Sequence, residues 1–138
     1  MPEELELRFA APERELARIA KGSALRGFTV GRPATRRLNS IYFDTAKLSI
    51  TKAGLSLRVR KNGRKYVQTV KEENTGALAN MRHEYESELS SPLPDLDRIP
   101  DERVRNRVQS LADGAPIEPV IETDILRTTR SVLSLIHI

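Results

Sequence analysis

Alternation with a period of two dominates this chain. In "LSLRVRK", Leu55 to Lys61, the residues Leu55, Leu57 and Val59 fall on one side and Ser56, Arg58 and Arg60 on the other. Successive strand side chains face opposite sides of a sheet, so the stretch predicts a strand with one apolar and one charged face. The same rhythm predicts strands over 3–9 ("EELELRF"), 64–72 and 80–89 ("NMRHEYESEL"). "RLNSIYFDT" (37–45), rich in β-branched and aromatic residues, and "PVIETDILRTTRSV" (119–132) add two more. Two stretches change period. Pro12 suits the first position of a helix that carries Leu16, Ile19 and Ala20 on one face and stops near Gly22. Val104, Val108 and Leu111, spaced i, i+4, i+7 before Gly114, predict a second short helix. Residues 73–79 read as a loop and "SSPLPDLDRIP" as a proline-rich connection. The class expected is α+β, mainly antiparallel β.

Asn62-Gly63, set between two alternating runs, predicts a two-residue hairpin turn of type I′. That turn places Lys61 opposite Arg64, Arg60 opposite Lys65, Arg58 opposite Val67, Ser56 opposite Thr69 and Gly54 opposite Lys71. Opposed residues share a face, so Arg58, Arg60, Lys65, Thr69 and Lys71 lie on one side of the hairpin. Like charges opposite one another destabilise a sheet. Such a cluster needs either full solvation or an anion.

Composition narrows the choice. The 138 residues suffice for one domain with a modest core, and 38% are hydrophobic with only 4% aromatic. Net charge is +4, which favours an anionic partner, but the 23 basic and 19 acidic residues are interspersed and do not form a nucleic-acid-coating tail. Three Phe and three Tyr, mostly on apolar faces, supply no stacking set for RNA. Without cysteine there is no disulfide framework, thiolate zinc site or thiol nucleophile, which fits a reducing, cytoplasmic setting. The charged start "MPEELELRF" carries neither a signal peptide nor a membrane span. Walker loops, dinucleotide fingerprints and serine–histidine pairs are missing.

Further strands repeat the charged row. Glu4, Glu6 and Arg8 share a face; so do Arg82, Glu84, Glu86 and Glu88; Arg127 lies with Ile125 and Thr129. A sheet with one solvated face produces each row by itself. Taken together the rows admit another arrangement, a barrel whose charged faces line a polar lumen and whose apolar outside is covered by helices. Arginine forks suit phosphate oxygens, and clustered carboxylates suit Mg²⁺ or Mn²⁺. Asp44 in "YFDT" reads as a strand-ending cap of a turn rather than a catalytic acid. His83 faces away from the charged row.

"ELELR" resembles the E-x-E-x-K signature of the CYTH domain, the triphosphate tunnel metalloenzyme superfamily. "YFDT", "GLSLRVRKNGRKYVQTVK" and "RHEYESEL" resemble that family's later motifs in the same order, and the resemblance spans residues 3–132. It implies an antiparallel β-barrel tunnel that binds triphosphate and needs Mg²⁺ or Mn²⁺. On that pattern Glu4, Glu6, Glu84 and Glu86 hold metal, Arg58, Arg60, Lys71, Arg82 and, less directly, Arg127 bind phosphate, and Glu4, Glu6 and Arg8 serve catalysis. Arg8 stands where the motif has lysine, and a guanidinium does not replace a point charge in orienting water. Bacterial inorganic triphosphatases with a following CHAD domain are the members most resembled. Thiamine triphosphatase, adenylate cyclase and a non-catalytic polyphosphate-binding module are the competing functions. The last six residues, "LSLIHI", match the translation of a sequencing adaptor, so residues 1–132 are expected to be the native CYTH part of a truncated, incomplete barrel and residues 133–138 a non-native tail.

Overall fold

The structure, a computed structural model, describes residues 3–5, 8–21, 28–73 and 81–134. In chain order it contains β1 (Glu3–Leu5), α1 (Glu13–Ala20), β2 (Phe28–Val30), β3 (Ala34–Asp44), α2 (Ser49–Lys52), β4 (Leu55–Asn62), β5 (Lys65–Glu73), β6 (Met81–Leu89), a 3₁₀ turn (Leu96–Arg98), α3 (Glu102–Ala112), β7 (Glu118–Thr129) and β8 (Val132–Ser134). One sheet has the order β1-β6-β5-β4-β3-β7, and β2 pairs with β8 in a second. The pairings β1–β6, β6–β5, β5–β4 and β4–β3 are antiparallel. The larger sheet is open, with β1 and β7 at its edges among the described residues. The α+β class and its antiparallel sheet therefore hold, as an unclosed sheet.

The chain divides into two compact units, Met1–Leu7 with Asn39–Asp124, and Arg8–Leu38 with Ile125–Ile138. In the first, Leu55, Leu57 and Val59 from β4, Val70 from β5, and Tyr85 and Leu89 from β6 are buried with Ile50, Ile99, Val104 and Val108. Alternation thus delivers one face of three strands to α2 and α3. Helix α3 starts where the Asp101 carboxylate accepts the Val104 N–H at 3.0 Å, and ends at Asp113 and Gly114, both at positive φ. Gln68, buried on the apolar face, is satisfied on both sides of its amide. Its Nε2 donates to the Asp95 carbonyl and its Oε1 accepts the Asp95 N–H, both at 2.8 Å, which fixes the proline-rich connection.

Glu72 ties α3 to β5 by charge. Both terminal nitrogens of Arg103 donate to its carboxylate, at 3.1 and 3.3 Å, and Arg107 adds a third bond at 3.2 Å. These bonds, above all the Arg103 one, hold the Glu72 carboxyl below its ordinary range despite its partial burial.

In the second unit, the Arg130 guanidinium donates to the carbonyls of Ala20, at the end of α1, and Gly31, after β2. A groove of about 940 Å³ lies beside α1, lined by Phe9, Leu16, Ile19, Ile125, Leu126 and Arg127 among others. Strand β8 begins at Val132, which pairs with Val30, and Leu133 and Ser134 are in register with Thr29 and Phe28. Among the described residues no helix is long and apolar enough to cross a membrane.

The hairpin corrects one expectation. Asn62 pairs with Lys65, so the turn residues are Gly63 and Arg64 rather than Asn62 and Gly63. Only Gly63 has positive φ, the sign pattern of a II′ turn and not I′. Register therefore slips by two: Arg60 opposes Val67, Arg58 opposes Thr69 and Ser56 opposes Lys71. The slip separates Arg60 from Lys65, removing a like-charge pair, and an even slip keeps every residue on its expected face.

Asp44 is a cap, as its place at the end of "YFDT" suggests. Its carboxylate accepts from the backbone N–H groups of Thr45 (2.7 Å), Ile50 (3.0 Å) and Thr51 (2.9 Å) and from the Thr51 hydroxyl (2.6 Å). Burial opposes its ionisation, but the four bonds outweigh burial and lower its pKa. A lowered folded-state pKa gives stability that is complete above the unfolded value near about 4 and lost as pH falls through the folded one. We expect Asp44→Ala to lose about 2–4 kcal/mol of stability at neutral pH, since buried donors are left unpaired. Urea denaturation checks this, and the gap to the parent protein should narrow below the carboxylate range.

Candidate anion-binding site

Because the apolar side of the hairpin is committed to α2 and α3, its other side carries Ser56, Arg58 and Arg60, opposed by Lys71, Thr69 and Val67. Strand β6 continues the row with Glu84 opposite Lys71, Glu86 opposite Thr69 and Glu88 opposite Val67. On the other flank β3 sets Tyr42 opposite Arg58 and Ser40 opposite Arg60. One face of one sheet therefore gathers Arg58, Arg60, Lys71, Glu84 and Glu86. Backbone register puts Arg82 opposite Glu73 on β5 and opposite Glu4 on β1. Glu6 lies outside the described residues. Arg8 and Arg127 belong to the second unit, Arg8 exposed after β1 and Arg127 beside the groove.

The cations differ in how they are held. Arg58 is only 8% exposed. One terminal nitrogen donates to the fully buried Thr69 hydroxyl at a long 3.3 Å, while its buried Nε has no acceptor. Among the described residues no carboxylate bonds it. Arg60 donates from Nε to the Ser40 hydroxyl at 2.8 Å, and Ser40 is fully buried. Lys71 Nζ lies 2.9 Å from Glu84 Oε1, with both side chains about three-quarters covered (22% and 25% exposed). Lys65 reaches Glu88 at 3.0 Å near the open end of the hairpin, with both side chains two-thirds exposed, so that pair contributes little.

Removing a guanidinium from water without a counter-charge costs several kcal/mol. The unpartnered Nε–H of Arg58 thus sets it apart from the other cations described on this face. It can bind an anion in its planar fork without displacing another acceptor. Glu84 and Glu86 offer hard oxygen donors of the kind Mg²⁺ and Mn²⁺ take. Among the described residues no group of three acidic or histidine side chains is placed to hold a metal ion. A complete ligand set on this face needs the β1 carboxylates as well.

Ser40, which orients Arg60, escaped the sequence reading. Its signal was present, since it stands two residues before Tyr42 on an alternating strand, but only the β3–β4 register shows which arginine it meets. The Glu72 clamp escaped too, because nothing local says that α3 packs on β5.

The CYTH domain model matches residues 2–137. The chain belongs to the CYTH family. A solved structure from Bacillus halodurans, a "putative adenylate cyclase", is similar to this CYTH domain with a TM-score of 0.54 and 15% identity, covering 97% of this chain and 72% of that one. At that identity the likeness establishes the shared fold. No curated protein matches the chain.

For this CYTH domain we expect Arg58→Met to trade function for stability. Replacing an uncompensated buried charge by an apolar chain of similar reach should raise stability by about 1 kcal/mol. Thermal melts with and without tripolyphosphate check it: the ligand should raise the Tm of the parent protein and leave that of the variant unmoved.

Proposed function

We propose that this CYTH domain hydrolyses inorganic triphosphate in a reaction that requires Mg²⁺ or Mn²⁺. The observation that carries the reading is Arg58, a buried guanidinium whose Nε–H has no acceptor and which no carboxylate bonds among the described residues, on a face that also presents Arg60 and Lys71. A linear polyanion with several charged oxygens answers all three cations at once. Arg58 and Arg60 would take non-bridging oxygens in their planar forks, and Lys71 would add a point charge. Arg82 and Arg127 are the further phosphate contacts that the motif pattern suggests. Glu4, Glu6, Glu84 and Glu86 would hold the cation. When bound, a divalent cation stabilises charge on the phosphoryl oxygens and lowers the pKa of its water. Arg8 stands in place of the motif lysine, and a guanidinium in that role would keep the charge but aim a water less sharply.

Thiamine triphosphatase and adenylate cyclase activities need the same polyphosphate recognition, and a polyphosphate-binding module needs only that. Residues 133–138 as a non-native tail, a CHAD domain after the CYTH part, bacterial origin and a cytoplasmic setting belong to the same reading. The test is release of phosphate from triphosphate, ATP and thiamine triphosphate, each with and without Mg²⁺, together with analysis of the ATP product. Triphosphate should be the best substrate and its hydrolysis should stop without metal. Release of pyrophosphate from ATP with a cyclic product would move the assignment to a cyclase. Tight tripolyphosphate binding with no turnover would leave the binding module.

Glu6→Gln and Glu4→Gln should each abolish metal-dependent turnover while tripolyphosphate affinity in metal-free buffer stays close to that of the parent. The amide keeps the shape and loses the charge that draws the cation. Normal turnover in both variants would reduce this row to a solvated strand face.

A further inference from the structure

We infer that Glu84 is an internal competitor for Lys71, so that the face admits a polyphosphate carrying a divalent cation in preference to a bare polyanion. The inference rests on the triphosphate reading above and names what sets its selectivity.

Among the described residues, Lys65–Glu88 and Lys71–Glu84 join β5 to β6 on this face, and they differ in depth. Lys65–Glu88 is two-thirds exposed and screened by water and salt. Lys71–Glu84, 2.9 Å apart, is about three-quarters covered, so its attraction is screened far less. A phosphate oxygen that recruits Lys71 must take it from Glu84. The carboxylate is then left partly desolvated beside a polyanion, with like charge facing like charge. Arg103 and Arg107 cannot relieve it, because they are bound to Glu72 on the opposite face of the sheet. A polyphosphate that brings a divalent cation avoids the penalty. Lys71 turns to phosphate, Glu84 turns to the cation, and no charge is stranded. Cation and polyanion are therefore linked ligands: each raises affinity for the other through this one exchange of partners. Arg58 needs no such exchange, because among the described residues no carboxylate bonds it and its Nε–H has no acceptor. It supplies affinity, whereas the Lys71–Glu84 pair supplies discrimination.

Isothermal titration of the full chain with sodium tripolyphosphate, in chelator-stripped buffer at low salt, tests this. Glu84→Gln should bind the bare polyanion roughly fivefold or more tightly than the parent, the lower end of coupling between linked sites. Glu88→Gln removes the same charge from the same strand and should stay near the parent value. The gain should vanish when Glu84→Gln is made in a Lys71→Met background. With imidotriphosphate, which resists hydrolysis, added Mg²⁺ should improve affinity in the parent and much less in Glu84→Gln. Equal or weaker metal-free affinity in Glu84→Gln, the same gain in Glu88→Gln, or a gain that persists without Lys71 overturns the inference. Binding that Arg58→Ala removes but Glu84→Gln leaves unmoved sinks the inference alone. A parent and a Glu84→Gln variant that both fail to bind tripolyphosphate sink the triphosphate reading, and the inference with it.

Discussion

Strand alternation binds the two faces of the β4–β5 hairpin into one decision. Leu55, Leu57, Val59 and Val70 are driven under α2 and α3, and each fully buried aliphatic side chain contributes about 1.5–3 kcal/mol. Arg58 stands between Leu57 and Val59 and has no freedom to leave the other face. The desolvation of one guanidinium costs several kcal/mol, less than the summed burial of those four side chains. The core therefore wins, and the fold holds a cation where water barely reaches. A candidate anion-binding site follows from this imbalance without any specialised loop.

Consecutive residues on β5 divide the labour. Glu72 turns toward α3 and is bonded by Arg103 and Arg107, while Lys71 turns to the charged face and meets Glu84. The clamp on one side and the cation on the other thus belong to neighbouring residues of one strand. Polar groups elsewhere in this unit serve the same rigidity: Gln68 fastens the proline-rich connection, Asp44 gathers the turn before α2, and Ser40 aims Arg60.

Much of this was legible in the sequence because it depends on local periodicity. The facing of Arg58, Arg60 and Lys71 and the apolar stripe of α3 follow from spacing, and the capping role of Asp44 from an aspartate at the end of a strand. Register did not, since the choice between Asn62-Gly63 and Gly63-Arg64 turns on which pairing avoids opposed cations, a cross-strand property. Short elements such as β2, α2 and the 3₁₀ turn at Leu96–Arg98 carry too few residues for a period to show. Depth was least legible. Arg58 and Lys65 are both basic residues on the same face of one hairpin, yet one is nearly buried and the other mostly exposed, because only the first lies over the middle of the sheet, flanked by β3 and β6.

The central claim, that the buried Arg58 guanidinium awaits a polyphosphate oxygen, is tested most directly at its own nitrogen. Nitrogen-15 spectra resolve arginine Nε–H signals, and that of Arg58 can be assigned by its loss in Arg58→Lys. Titration with tripolyphosphate should shift this signal downfield and slow its exchange with water, in step with saturation of binding. A chain that saturates with tripolyphosphate while the Arg58 Nε–H signal stays unmoved would contradict the account.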